Sequence, residues 1–122
     1  MVKKVNLLEE TAKISRHWDP LIVGELNNQH VKLAKVQGDF VWHSHEQEDE
    51  LFLVQKGTLY IEFRNKTIEL KEGEMVVVPR TVEHRPYTKN NEEVWILLFE
   101  PAGTINTGEV KNELTRYELK KL

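Results

Sequence analysis

The chain contains no cysteine in 122 residues, so it can form no disulfide and can offer no thiolate to a metal. It also lacks a long apolar run. The longest, Met75 to Val78 and Val94 to Phe99, fall far below membrane-spanning length, and the opening MVKKVNLLEE has no apolar stretch of signal-peptide length. A soluble, cytoplasmic protein is the expectation. Charge of one sign does not dominate either: the net charge is -3 with 30% charged residues of both signs, and no basic stripe or aromatic-interleaved basic patch occurs. This argues against nucleic acid or an anionic membrane as partner and favours a small molecule. Linkers, internal repeats and low-complexity segments are absent as well, which leaves one domain over residues 1–122 with a β-rich core over about 20–100.

What is present is mostly strand-like. NLLEETAKI can open a short helix of about two turns with Asn6 as N-cap and Glu9 three residues on, ended by Asp19-Pro20 because the residue before proline is pushed out of the α region. From there to Phe99, short apolar runs are separated by turn chemistry at Asn27-Asn28, Gly38, Lys56-Gly57, Arg64-Asn65, Glu72-Gly73 and Asn90-Asn91. Leu59, Ile61 and Phe63 alternate with Thr58, Tyr60 and Glu62, predicting one buried and one wetter face. Val94 to Phe99 shows no alternation and predicts a strand covered on both faces. The periodicity after Gly103 does not separate helix from strand. The cadence is that of an antiparallel sandwich or barrel.

The chemistry concentrates in GDFVWHSHEQEDELFLVQKG. His43 and His45 are two apart, so on a strand both project into one space. Glu50 begins the next apolar run beyond the acidic turn and can approach that space from a neighbouring strand, and His84 follows in a proline-containing segment. Glu46, Glu48 and Asp49 compete with Glu50 as the carboxylate, but only Glu50 begins an apolar strand. Three imidazoles and a carboxylate suit a divalent transition metal (Fe, Mn, Ni, Zn, Co or Cu) and not Ca or Mg, and on an octahedral ion they leave two positions free. Phe52, on the same strand face as Glu50, is the leading candidate for a pocket wall; Arg80 and Glu83 are further candidates at the mouth, with a surface charge pair as the favoured reading of those two. His17 and His30 lie outside the pattern and read as exposed or capping residues.

These residues resemble the two motifs of the cupins. Gly38, His43, His45, Glu50 and Gly57 stand at the places of the first, and Gly73, Pro79 and His84 at those of the second. Three positions depart from the pattern: four residues, not five, separate Gly38 from His43, Thr81 stands where a glycine is expected, and Thr88 stands where an asparagine is expected. None of the three is a ligand. The tail EPAGTINTGE is similar to that of small single-domain cupins of the cupin 2 type. The resemblance implies an all-β, double-stranded β-helix (a jelly-roll-like barrel) with a short N-terminal helix, and a metal held by His43, His45, Glu50 and His84. It further implies a small-molecule metalloenzyme of dioxygenase or isomerase type, with a non-catalytic metal-dependent ligand-binding module as the alternative. A sugar-phosphate isomerase should show more basic residues near the motifs than Arg64, Arg80, Arg85 and Lys89. Pairing through an outer sheet, with Trp18, Trp42 and Trp95 as apolar surface, implies a homodimer.

Overall fold

A computed structural model describes residues 2–122. Helix α1 spans Leu7–Ala12, and the side chain of Asn6 accepts a hydrogen bond from Glu9 N at 3.0 Å, as its N-cap position requires. The helix ends at Ala12, well before Asp19-Pro20. It buries only Thr11 and leaves Leu7 and Leu8 exposed, so no apolar face exists to carry it further. The segment up to Pro20 instead delivers Trp18 to the barrel, where the ring stacks on Phe40 at 4.6 Å and Nε1 donates to Gln37 O at 3.0 Å. Trp18 is therefore core, not surface as the sequence implied.

Among the described residues nine strands follow: β1 Leu21–Leu26, β2 Gln29–Val36, β3 Glu50–Lys56, β4 Leu59–Glu62, β5 Thr67–Leu70, β6 Met75–Val78, β7 Arg85–Tyr87, β8 Val94–Pro101 and β9 Lys120–Lys121. They form a six-stranded sheet in the order β6-β3-β8-β2-β1-β9 and a three-stranded sheet in the order β5-β4-β7. All pairings are antiparallel except β1 with β9. This is the double-stranded β-helix. The β1–β2 hairpin turns on Asn27 (φ 48) and Asn28 (φ 63), the left-handed pair of a type I′ turn that asparagine tolerates better than most residues. The inward faces meet in one core, to which Val36, Phe52, Val54, Leu59, Ile61 and Ile96 belong. Among the described residues no helix is long and apolar enough to cross a membrane.

Strand β8 departs from the expectation of two covered faces. Val94, Ile96, Leu98 and Glu100 point inward and are buried, whereas Trp95, Leu97 and Phe99 are half-buried on the outer face. Apolar composition hid the alternation, because both faces carry hydrophobic side chains. The tail is neither a long helix nor a strand: residues 103–119 form hydrogen-bonded turns before the short β9.

Position 81, where the motif expects glycine, has a left-handed backbone, with Thr81 at φ 70. A β-branched side chain in that region is strained by roughly 1–2 kcal/mol. Thr81→Gly should therefore raise stability by about 1 kcal/mol, measured by urea unfolding at equilibrium.

Candidate metal centre

Backbone pairing builds the site. His43 N donates to His84 O at 3.0 Å and His84 N donates to His43 O at 2.9 Å, an isolated antiparallel bridge that sets the two imidazoles side by side. The same two segments are joined on either side of this bridge. Thr81 N donates to His45 O at 2.7 Å, and Phe40 N to Pro86 O at 3.0 Å. Gly38 N donates to Thr88 Oγ1 at 2.7 Å, and Thr88 N returns a bond to Gly38 O at 2.9 Å. Threonine at position 88 thus ties the two motif segments together. Glu50 enters from β3, on the inward face it shares with Phe52 and Val54.

His43, His45, Glu50 and His84 are all buried, and each offers a ligand atom within 4.8 Å of the others. Glu50 Oε1 lies 3.4 Å from His45 Nε2 and 3.5 Å from His84 Nε2. The Nδ1 atoms of His43 and His84 meet the carbonyls of Val41 and Val82 at 2.9 and 3.0 Å. A carbonyl only accepts, so Nδ1 carries the proton of each neutral ring and Nε2 is left with its lone pair. His45 Nε2, His84 Nε2 and Glu50 Oε1 are buried with no hydrogen-bond partner, an arrangement that native interiors rarely leave uncompensated. An ion bound between them would satisfy all three, and the nitrogen-rich donor set fits a divalent transition metal. Burial, followed by the neighbouring His84, lowers the pKa of His43 from 6.5 to about 4, which keeps that ring a neutral donor.

The other acidic candidates do not converge with the imidazoles. Glu46 is exposed, and Asp49 is engaged with Arg80, whose backbone N donates to it at 2.8 Å. Glu48 Oε1 stays 3.9 Å from His45 Nδ1. Arg80 itself is exposed in that ion pair and does not line the cavity, which corrects its reading as a pocket residue. Glu83 likewise pairs with Arg64 on the surface. Phe52 does line the cavity and presents its ring to His84 edge-on at 6.1 Å. His17 pairs with Glu93 at 2.7 Å, and His30 lies 3.2 Å from Glu25, both away from the centre.

The cavity beside His43 and Glu50 is about 30 Å³ and is walled mainly by Trp18, Phe40, Phe52, Ile96 and Leu98, with Asn106 reaching in from the tail. The tail also packs against the segment that carries His43 and His45. A Cβ on Gly108 would collide with Ser44 O, so only glycine permits this approach, and the loop is held by Thr107 Oγ1 donating to Val110 O at 2.6 Å. Sequence reasoning passed over Asn106 and Gly108, and also Lys32 and Glu100, a fully buried pair joined at 2.7 Å behind Glu50. A signal for the last two existed. Lys32 shares the period-two face of Ala34 and Val36, and Glu100 that of Ile96 and Leu98, so each is a charge at an inward position.

Comparison with known proteins agrees with this geometry. The family model described as "Cupin domain" matches residues 29–100. A curated relative, the uncharacterized protein YdbB of Bacillus subtilis (strain 168), is 35% identical over 86 residues, 70% of this chain and 76% of that protein. Among solved structures, a cupin-2 domain containing protein from Shewanella frigidimarina NCIMB 400 is 44% identical with a TM-score of 0.76, covering 80% of this chain and 93% of that one. Protein NMB1881 from Neisseria meningitidis is 30% identical with a TM-score of 0.73, covering 82% and 100%. The chain belongs to the cupin family.

The lowered pKa of His43 has a defined sign. The unfolded chain takes up the proton first, so this residue's contribution to stability is complete above pH 6.5 and is lost as the pH falls towards about 4. In the metal-free protein, the His43 ring resonances should titrate with a midpoint near 4, followed by heteronuclear NMR; a midpoint near 6.5 would contradict the buried, neutral ring.

Proposed function

We propose that this cupin binds one divalent transition-metal ion per chain through His43, His45, Glu50 and His84 and acts as a small-molecule metalloenzyme. The observation that carries this reading is the convergence of four buried donors, three of them with a ligand atom that has no other partner. Bound there, an ion such as Fe, Mn, Ni, Zn, Co or Cu would supply Lewis acidity or redox chemistry with positions open to a ligand. The chain's own contribution is to keep His43 neutral, to hold the His43 and His84 rings by their Nδ1 protons, and to exclude water with the aromatic wall of Trp18, Phe40 and Phe52.

The cavity favours an oxygenase over a sugar-phosphate isomerase. The space of about 30 Å³ beside His43 and Glu50 is walled mainly by apolar side chains and offers no lysine or arginine to a phosphate. Three arginines near the motifs are already engaged: Arg64 with Glu83, Arg80 with Asp49, and Arg85 with Asp39 and Glu62. None of them lines the cavity as a phosphate partner. A second reading, a non-catalytic metal-dependent ligand-binding module, draws on one observation: apart from His43 and Glu50, Asn106 is the only polar side chain in the lining among the described residues, so no dedicated general base faces the space. We place the protein in the cytoplasm, in keeping with its lack of cysteine.

We also propose a homodimer formed through the outer face of the six-stranded sheet. Leu51, Leu53, Leu97 and Phe99 are only half-buried there, and Met75 and Val77 on the neighbouring edge strand are each 48% exposed. A second copy would cover this apolar surface. Sedimentation at micromolar concentration should give twice the 14.4 kDa chain mass; a monomer would refute the assembly.

Elemental analysis of protein purified without added metal should give about one ion per chain, and His43→Ala and His84→Ala should each lower occupancy at least tenfold. Wild-type occupancy in both variants would overturn the site. Fe(II) or Mn protein should then consume oxygen with a small chelating diol or diketone. Phe52→Ala, by enlarging the cavity, should change which of these substrates is used more than it changes metal content. Saturable ligand binding without turnover in any metal form would establish the binding module instead.

A further inference from the structure

Behind the candidate metal centre lies a buried ion pair that the chemistry above does not use. Lys32 on β2 and Glu100 on β8 are each 2% exposed, and Lys32 Nζ donates to Glu100 Oε1 at 2.7 Å. Strand register places this pair beside the carboxylate ligand. Leu51 pairs with Phe99, which sets Glu100 next to Glu50 on the inward side, and Lys32 pairs with Leu98, which sets Lys32 diagonally across from Glu100. A polar row, Glu50, Glu100 and Lys32, therefore crosses three adjacent strands inside an otherwise apolar barrel. Register makes the two carboxyls cross-strand neighbours, and Glu100 Oε2 is buried with no hydrogen-bond partner of its own. Burial and the neighbouring Glu50 hold the Glu100 pKa well above its usual range against the pull of Lys32, while burial pushes Glu50 up but the nearby Glu100, His45 and His84 outweigh it and hold it well below its usual range.

Stability alone does not account for the pair. Two charges are expensive to desolvate, and apolar residues of similar volume commonly replace buried ion pairs without loss of stability. Nor does Glu100 line the cavity, so it cannot touch a ligand held there. Its neighbour across the β3–β8 pair is Glu50. Resting on the metal-site reading above, we propose that Lys32 and Glu100 are positioning residues for the metal-ligating carboxylate: the Lys32 ammonium pins Glu100, and Glu100 orients the Glu50 carboxyl so that Oε1 faces the imidazoles. Outer-shell partners of ligating carboxylates characteristically set metal affinity in this way.

The test is Co(II) affinity by chelator competition, together with the visible spectrum of the Co(II) protein and the melting temperature of the metal-free form. In Lys32→Met/Glu100→Leu both charges leave together, so the metal-free protein should stay folded, while Co(II) affinity falls roughly 10–100-fold and the spectrum shifts. Glu100→Asp keeps the ion pair but withdraws its carboxyl from Glu50 by one methylene, and should lose about tenfold; it decides the question even where the double variant does not fold. Glu100→Gln, whose amide can still donate to Glu50, should bind within about threefold of wild type. Wild-type affinity and spectrum in the double variant or in Glu100→Asp would show a merely structural pair and overturn the proposal. A Glu100→Gln variant as weak as the double variant would overturn it too. Wild-type protein that binds no Co(II) would overturn both this proposal and the metal site, whereas unchanged variants on a binding wild type sink the positioning role alone.

Discussion

Two reciprocal backbone hydrogen bonds between His43 and His84 are the constraint on which the site depends. They join motif segments that are far apart in the chain and put both imidazoles on one side of a narrow antiparallel pair. The flanking bonds at Phe40, His45 and Thr88 extend the same zipper, so neither histidine can rotate away without breaking backbone pairing in a buried region. Side-chain packing then completes what the backbone begins. Val41 and Val82 fix the ring tautomers from two residues upstream of their histidines, and β3 brings Glu50 in from the opposite sheet. The departures from the motif at positions 81 and 88 leave this zipper whole. Thr81 accepts a left-handed conformation at some local cost, and the hydroxyl of Thr88 supplies a bond to Gly38.

The electrostatics follow from burial. A nearly dry barrel end cannot hold several charged imidazoles, and the lowered pKa of His43 reflects that. Two carboxyls side by side cannot both ionise cheaply either, and Glu50 and Glu100 shift in opposite directions, Glu50 down and Glu100 up, with Lys32 bonded to Glu100 at 2.7 Å. That arrangement leaves Glu50 as the anionic group closest to the imidazole lone pairs.

The apolar surfaces divide between two tasks. Inward residues such as Phe52, Ile96 and Leu98 fill the core and stop just short of His43 and Glu50, leaving the small cavity. Outward residues of the same strands remain half-buried, which is more apolar surface than one copy of the chain covers. The tail serves the first task. Gly108 lets it approach the backbone of Ser44, between His43 and His45, and Asn106 contributes the polar side chain that reaches into the cavity.

The sequence alone determined a good deal: an all-β barrel, the helix start at Asn6, the left-handed turn at Asn27-Asn28, and four donor residues at spacings that lead to one space. These are local properties, written in period-two alternation, in the residues that tolerate positive φ and in motif spacing. Other features depended on which strand lies beside which. The helix end reflects the lack of an apolar face to dock, not the proline downstream. Arg80 leaves the pocket because Asp49 lies within reach on the surface. Trp18 is core because the chain before β1 folds back over Phe40. The row of Glu50, Glu100 and Lys32 depends on the registers of β3, β8 and β2, and no local pattern encodes those registers. Only the tertiary structure decides them, because a buried charge shows its purpose only when its neighbour across the sheet is known.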